Sequence, residues 1–116
     1  MRKVIAGKAY DTDTARLIVI LPCPHARHAF TWSETRVYRT PRGAYFLAGK
    51  GGALSRWAKA TPSGSIAGEG IEVIAKDEAR AHAIHVGLSP DRFARFGFER
   101  EEGHWRIDAL MIGRTV

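Results

Sequence analysis

Cysteine is almost missing from this chain: Cys23 is the only one in 116 residues. That excludes an internal disulfide and suits a reducing compartment. Long apolar runs are missing too. The longest purely aliphatic stretch, Leu17-Ile18-Val19-Ile20-Leu21, is followed at once by Pro22 and Pro24 and falls far short of the roughly 20 residues that cross a bilayer. Met1 to Lys8 lacks an apolar h-region before a small-residue cleavage site, so no secretory signal is visible and a cytoplasmic protein with no membrane partner is expected. Acids are scarce in the first half. Residues 1–60 hold Asp11, Asp13 and Glu34 against eleven Lys and Arg, a net of +8, whereas the remainder carries seven cations against nine acids. A half this basic attracts a polyanion such as nucleic acid or an acidic protein face.

Glycine-loop chemistry is excluded by spacing. A phosphate-binding P-loop needs four residues between its first Gly and a Gly-Lys pair, then Ser or Thr. Here five residues lie between Gly43 and Gly49, and Gly51 follows Lys50. A dinucleotide fingerprint fails as well, because Leu54 stands three residues after Gly51 and the strand-to-helix context is missing. No serine or cysteine is placed by motif as a nucleophile beside a base. A non-enzymatic protein without a cofactor is therefore expected.

What is present is one domain's worth of chain with 45% hydrophobic residues, enough for one core. The pattern predicts an α+β fold: a small antiparallel sheet made of an N-terminal hairpin, a central hairpin and one further strand, with a short N-terminal helix and two C-terminal helices. Lys3-Val4-Ile5 and Lys8-Ala9-Tyr10 flank Gly7, which supplies the positive φ of a tight hairpin turn. Asp11 is placed to cap a short helix over residues 11–15. Phe30 to Arg39 and Ala44 to Ala48 flank Thr40-Pro41-Arg42-Gly43, a turn signal. A two-residue turn pairs Tyr38 with Tyr45 and Val37 with Phe46, leaving Trp32, Tyr38, Tyr45 and Leu47 on one face. Both faces then carry apolar side chains, so the sheet is covered on both sides or has one open aromatic face.

Residues 49–52 and 63–70 read as flexible glycine loops, and Ile71 to Ile74 as a strand. Asp77 is placed to cap a helix with Ala79, His82, Ala83 and Val86 at core spacing and Gly87 at its end. Ser89-Pro90 opens a second helix that buries Phe93 and Phe96. Residues 1–97 form the domain. Residues 98–116 form an extension with alternating apolar positions, either an added strand or an arm exchanged in a homodimer.

The strongest binding candidates are Arg36, Arg39, Arg42, Lys50, Arg56 and Lys59, interleaved with Tyr38 and Trp57 and flanked by Trp32 and Tyr45. Cations that neutralise phosphates and rings that stack bases are what nucleic-acid recognition needs. The competing reading puts the rings in the core and leaves the cations to solvate its edges. Cys23, His25, His28, His82 and His85 are zinc-ligand types, and a metal-dependent enzyme using them is a further alternative. Their two His-x-x-His spacings do not by themselves make a four-ligand site.

Gly7-Lys8-Ala9-Tyr10-Asp11-Thr12-Asp13-Thr14-Ala15, the run Val37 to Gly52 and Leu54-Ser55-Arg56-Trp57 together resemble a family of small uncharacterised bacterial proteins. Those proteins often travel on phages, plasmids and integrated elements. The shared pattern includes a GK-x-YDT-x-TA opening and an LYRT-x-x-G-x-YFL-x-G-x-GG hairpin, and the resemblance covers residues 3 to 97. It implies a mobile-element protein that binds a bacterial protein or nucleoprotein complex, with anti-CRISPR inhibitors of bacterial defence as the best-known class. Direct DNA or RNA binding is the alternative. The chain departs from the pattern in its apolar, histidine-bearing segment 17–28, in His82 where Trp is common, and in the tail after Gly97.

Overall fold

The computed structural model describes residues 1–98; the extension expected over 98–116 lies, apart from Phe98, outside the described residues. The described chain is α+β, with three antiparallel sheets and two helices. None of its helices is long and apolar enough to cross a membrane.

The first hairpin forms where expected, but as a sheet of its own rather than as part of one small sheet. The place beside the central hairpin is taken by the aliphatic run 16–21, which the pattern does not assign to a strand. β1 (Arg2–Ile5) pairs with β2 (Lys8–Asp11), and the reversal uses two left-handed residues, Ala6 (φ 52°) and Gly7 (φ 79°), the conformation that matches the twist of tight hairpins. The helix predicted over 11–15 does not form. Asp11 already belongs to β2, and its Oδ1 accepts the Asp13 N–H at 2.9 Å, a local bond that serves a turn as readily as a helix cap. The chain turns instead and enters β3 (Arg16–Leu21), the aliphatic run. A bulge between Leu17 and Val19 lets the consecutive Ile18 and Val19 both face the core, which a strictly alternating strand would forbid.

β3, β4 (Ser33–Arg39), β5 (Tyr45–Gly51) and β8 (Gly68–Ile74) form the central sheet in that order. The β4–β5 register differs from the sequence expectation by one residue: Tyr38 opposes Phe46, and Val37 opposes Leu47. Gly43 is the reason. It adopts φ 89° and acts as the third residue of a Pro41-Arg42-Gly43 loop closed between Thr40 and Ala44 (Thr40 N to Ala44 O, 2.8 Å). The odd loop adds one residue, and a slip of one exchanges the faces. Tyr38, Phe46, Ala48 and Ile71 thus share a face, covered by Tyr10 and Ile5 of the N-terminal hairpin. Val37, Tyr45, Leu47 and Ile74 share the other, covered by α1 (Lys76–Val86) and α2 (Pro90–Arg95) through Ala79, Ala83 and Phe93, with Phe96 and Phe98 following. The sheet is covered on both sides.

α1 starts at Lys76 with Ala75 as an N-cap lacking a side-chain bond, so Asp77 is a first-turn acid rather than the cap; Gly87 (φ 86°) ends it as expected. Val86 is exposed at its last turn. α2 keeps its expected Ser89 cap and Pro90 start.

Neither glycine segment is a flexible loop. Gly49 and Gly51 lie within β5 and pair with Gly70 and Gly68 of β8. Residues 59–66 form a further hairpin of β6 (Lys59–Thr61) and β7 (Gly64–Ile66). These glycines are strand residues because the Ser55 to Trp57 segment packs onto them. A Cβ on Gly49 would collide with Trp57 Nε1 and the Glu34 carbonyl, and one on Gly51 with Ser55. The buried Trp57 indole donates to Thr35 Oγ1 at 2.9 Å. Gly49→Ala is therefore expected to cost stability at the upper end of about 1–3 kcal/mol. Thr35→Val, which strands the indole N–H, costs about 1–3 kcal/mol, and Thr35→Ser costs less. Urea unfolding with an unchanged m-value checks all three; a wild-type midpoint for Gly49→Ala would refute the packing argument.

Candidate functional site

The end of the central sheet where β4 begins, β5 ends and β8 begins is bare of side chains on one face, because Gly51, Gly52 and Gly68 stand there. Three backbone segments exploit that. Gly52 N–H donates to the Trp32 carbonyl (2.9 Å), Leu54 N–H to the Phe30 carbonyl (2.9 Å), and Trp32 N–H to Ala29 O (3.1 Å). Ser55 Oγ donates to Gly52 O at 2.8 Å and accepts from Trp57 N–H at 3.2 Å. The loop before β4 is thereby held by its backbone while its side chains stay available. The Phe30 ring is 70% exposed, and the Arg27 guanidinium lies over the half-buried Trp32 ring, 4.8 Å from its centroid.

Between this loop and the β6–β7 hairpin runs an open cleft of about 930 Å³, lined in part by Gly51, Gly52 and Gly68. Arg27, Lys50 and Lys59 line it together with His28, Phe30 and Trp32, and among the described residues Glu69 is the one carboxylate in its wall; it stands directly opposite Lys50 in the β5–β8 register, as Glu34 does in the β4–β5 register. The wall carries a positive excess, supplied by Arg27 and Lys59, and such an excess concentrates anions.

The residues singled out from the sequence divide. Lys50 and Lys59 reach the cleft. Arg42 is exposed at the opposite end of the β4–β5 hairpin. Arg36 is paired with Glu34 at 2.6 Å, and Arg56 with Glu72 at 2.9 Å while lying over the Trp57 ring. Arg39 leans on the Tyr45 ring. Tyr38 stacks on Phe46 (centroids 5.2 Å apart) in the core, and Trp57 is buried on the glycines, so neither ring is open to a base. Arg27 and Phe30 are cleft residues that the sequence reading passed over, although Arg27, Phe30 and Trp32 fall within six residues of one another in a segment read for its histidines.

No family model, curated protein or solved structure matches the chain. The site is read from its geometry.

The zinc-ligand types do not converge: among the described residues no group of three or more His, Cys, Asp or Glu could hold a metal ion. His82 sits one helical turn from Glu78, with Nε2 3.7 Å from its carboxylate. His25 and His28 belong to the exposed loop after β3, and His85 to the outer surface of α1. Cys23 is half-buried, and its Sγ accepts the Ser33 N–H at 3.5 Å. Backbone hydrogen bonds at Ser33 first and His25 second hold its thiol below the ordinary range, since a donor aimed at sulfur favours the thiolate. The pH midpoint for alkylation of the folded protein by iodoacetamide should lie below the ordinary value of about 8.5 and return to it in urea. Equal midpoints in the two states would refute the role of the Ser33 bond.

Proposed function

We propose that this chain is a non-enzymatic binding protein of mobile-element type that acts stoichiometrically on a nucleoprotein complex of bacterial defence, in the manner of an anti-CRISPR inhibitor. The observation that carries this reading is the cleft, in which Arg27, Lys50 and Lys59 stand around an exposed Phe30 and a half-buried Trp32. Cations neutralise phosphates and release counterions, while an exposed ring offers a stacking surface that accepts any base. Cytoplasmic action follows from such a target and agrees with an unpaired Cys23.

The test is a salt-titrated binding assay with labelled single- and double-stranded DNA and RNA. Wild type should bind at micromolar or tighter affinity, with a steep loss on adding salt. Arg27/Lys50/Lys59→Ala should bind at least tenfold more weakly and lower the salt slope by about one for each phosphate contact removed. Arg36/Arg56→Ala, whose charges Glu34 and Glu72 already answer, should stay within about twofold of wild type on the same argument. Phe30→Ala should weaken binding while leaving stability within about 0.5 kcal/mol, as expected for a surface substitution. Absence of binding near physiological salt by a folded protein would overturn nucleic acid as the docking ligand.

A further inference from the structure

At the other end of β4 the register sets two arginines face to face: Arg16 of β3 directly opposes Arg39. Like charges in that position repel and destabilise a strand pair. Among the described residues no carboxylate relieves them. Thr14, Thr40 and Pro41 complete the lining of a recess of about 270 Å³ around the two arginines, and among the described residues neither Arg16 nor Arg39 forms an ion pair.

Arg39 is also held in place. Its head lies over the Tyr45 ring, 6.0 Å from the centroid. Its Nη2 would be 3.4 Å from a Cβ on Gly43 and 3.2 Å from one on Gly97, and both glycines have positive φ. Its Nε is shut off from solvent without a hydrogen-bond partner. Contact with Tyr45 offsets part of the desolvation of the guanidinium, but a stranded donor beside a second cation still costs stability. Thr40 Oγ1 accepts from the Ala44 N–H at 3.0 Å, which leaves its own proton for an acceptor.

From this geometry we infer that Arg16 and Arg39 form a binding site for a phosphate group, with Thr40 as an additional donor. Two planar guanidinium forks suit the oxygens of a phosphate, and an anion there converts the repulsion into attraction. The site is independent of the cleft. β4 spans seven residues from Ser33 to Arg39, so the two ends stand roughly 20 Å apart at the rise of a strand. The phosphate could be free phosphate, a phosphomonoester or a nucleic-acid phosphodiester, all of which present the same oxygens.

The experiment is thermal unfolding with inorganic phosphate titrated at constant ionic strength against sodium chloride. Phosphate should raise the wild-type Tm in a saturable way. Arg16→Gln, at an exposed position that leaves the fold intact, should weaken the phosphate response at least tenfold in apparent Kd. Arg39→Gln should abolish the response and, without phosphate, melt no lower than wild type, because it removes the repulsion. An equal rise with acetate, or an undiminished phosphate response in Arg16→Gln, would mean general screening of the +6 charge and would overturn the site. Competition with a 5′-hydroxyl oligonucleotide then separates the sources. Displacement of phosphate assigns the site to phosphodiesters, and failure to displace assigns it to free phosphate or a phosphomonoester.

Discussion

The Trp57 indole occupies a position that exists only because the paired strands β5 and β8 present glycine to it. Gly49 faces Gly70 and Gly51 faces Gly68. Trp57 lies against Gly49 and Gly70, its carbonyl against Gly68, and Ser55 against Gly51. A strand gains little from glycine on its own, since the residue loses the most chain entropy and contributes no side chain. The loss is offset by burying a large ring and satisfying its N–H on Thr35, a contribution of several kcal/mol on the scale of Trp→Ala substitutions, about 3–5 kcal/mol. The ring locks a loop against the sheet, and that loop decides where everything near the sheet's end can go.

The cleft follows from this constraint. With the 52–57 loop fixed, its N–H groups hold the Phe30 to Trp32 backbone, and the chain leaving Trp57 enters β6. The two walls of the cleft are thus attached to the same anchor, one by hydrogen bonds and the other by covalent continuity. Side chains on those walls are released from structural duty. Phe30 is exposed because its backbone, not its ring, does the holding.

Much of this was legible in the sequence, and the failures have common causes. The β4–β5 hairpin could be read from Thr40-Pro41-Arg42-Gly43, but its register could not, because the pattern does not say whether Gly43 ends the loop or starts the strand. That ambiguity of one residue moves Tyr38 and Phe46 to one face and Tyr45 and Leu47 to the other. Gly49 to Gly52 looked flexible because the ring that needs them is out of local view, packed across the sheet rather than along it. Asp11 looked like a cap because the same side-chain bond serves turns and helices. α2 was predictable down to its Ser89 cap, since every signal there is local. Of the site, the uneven charge was visible, and so was Glu34 two residues from Arg36. The pairing of Arg56 with Glu72 was not, because the two stand 16 residues apart and are joined only when the 52–57 loop packs beside β8.

The distribution of acids accounts for the remaining electrostatics. With eleven cations and three acids in residues 1–60, the fold has few carboxylates to place beside its basic surface. Glu34 and Glu72 stand beside Arg36 and Arg56, which flank the middle of the sheet. The two ends of β4 keep an excess of positive charge: Arg27 and Lys59 at one, where Glu34 and Glu69 oppose Lys50 in register, and Arg16 and Arg39 at the other. At physiological ionic strength charges are screened over about 8 Å, well short of the roughly 20 Å length of the strand. The two ends therefore attract anions as separate centres. A small anion senses one of them at a time, and only an extended polyanion, or two ligands on a common scaffold, can couple both.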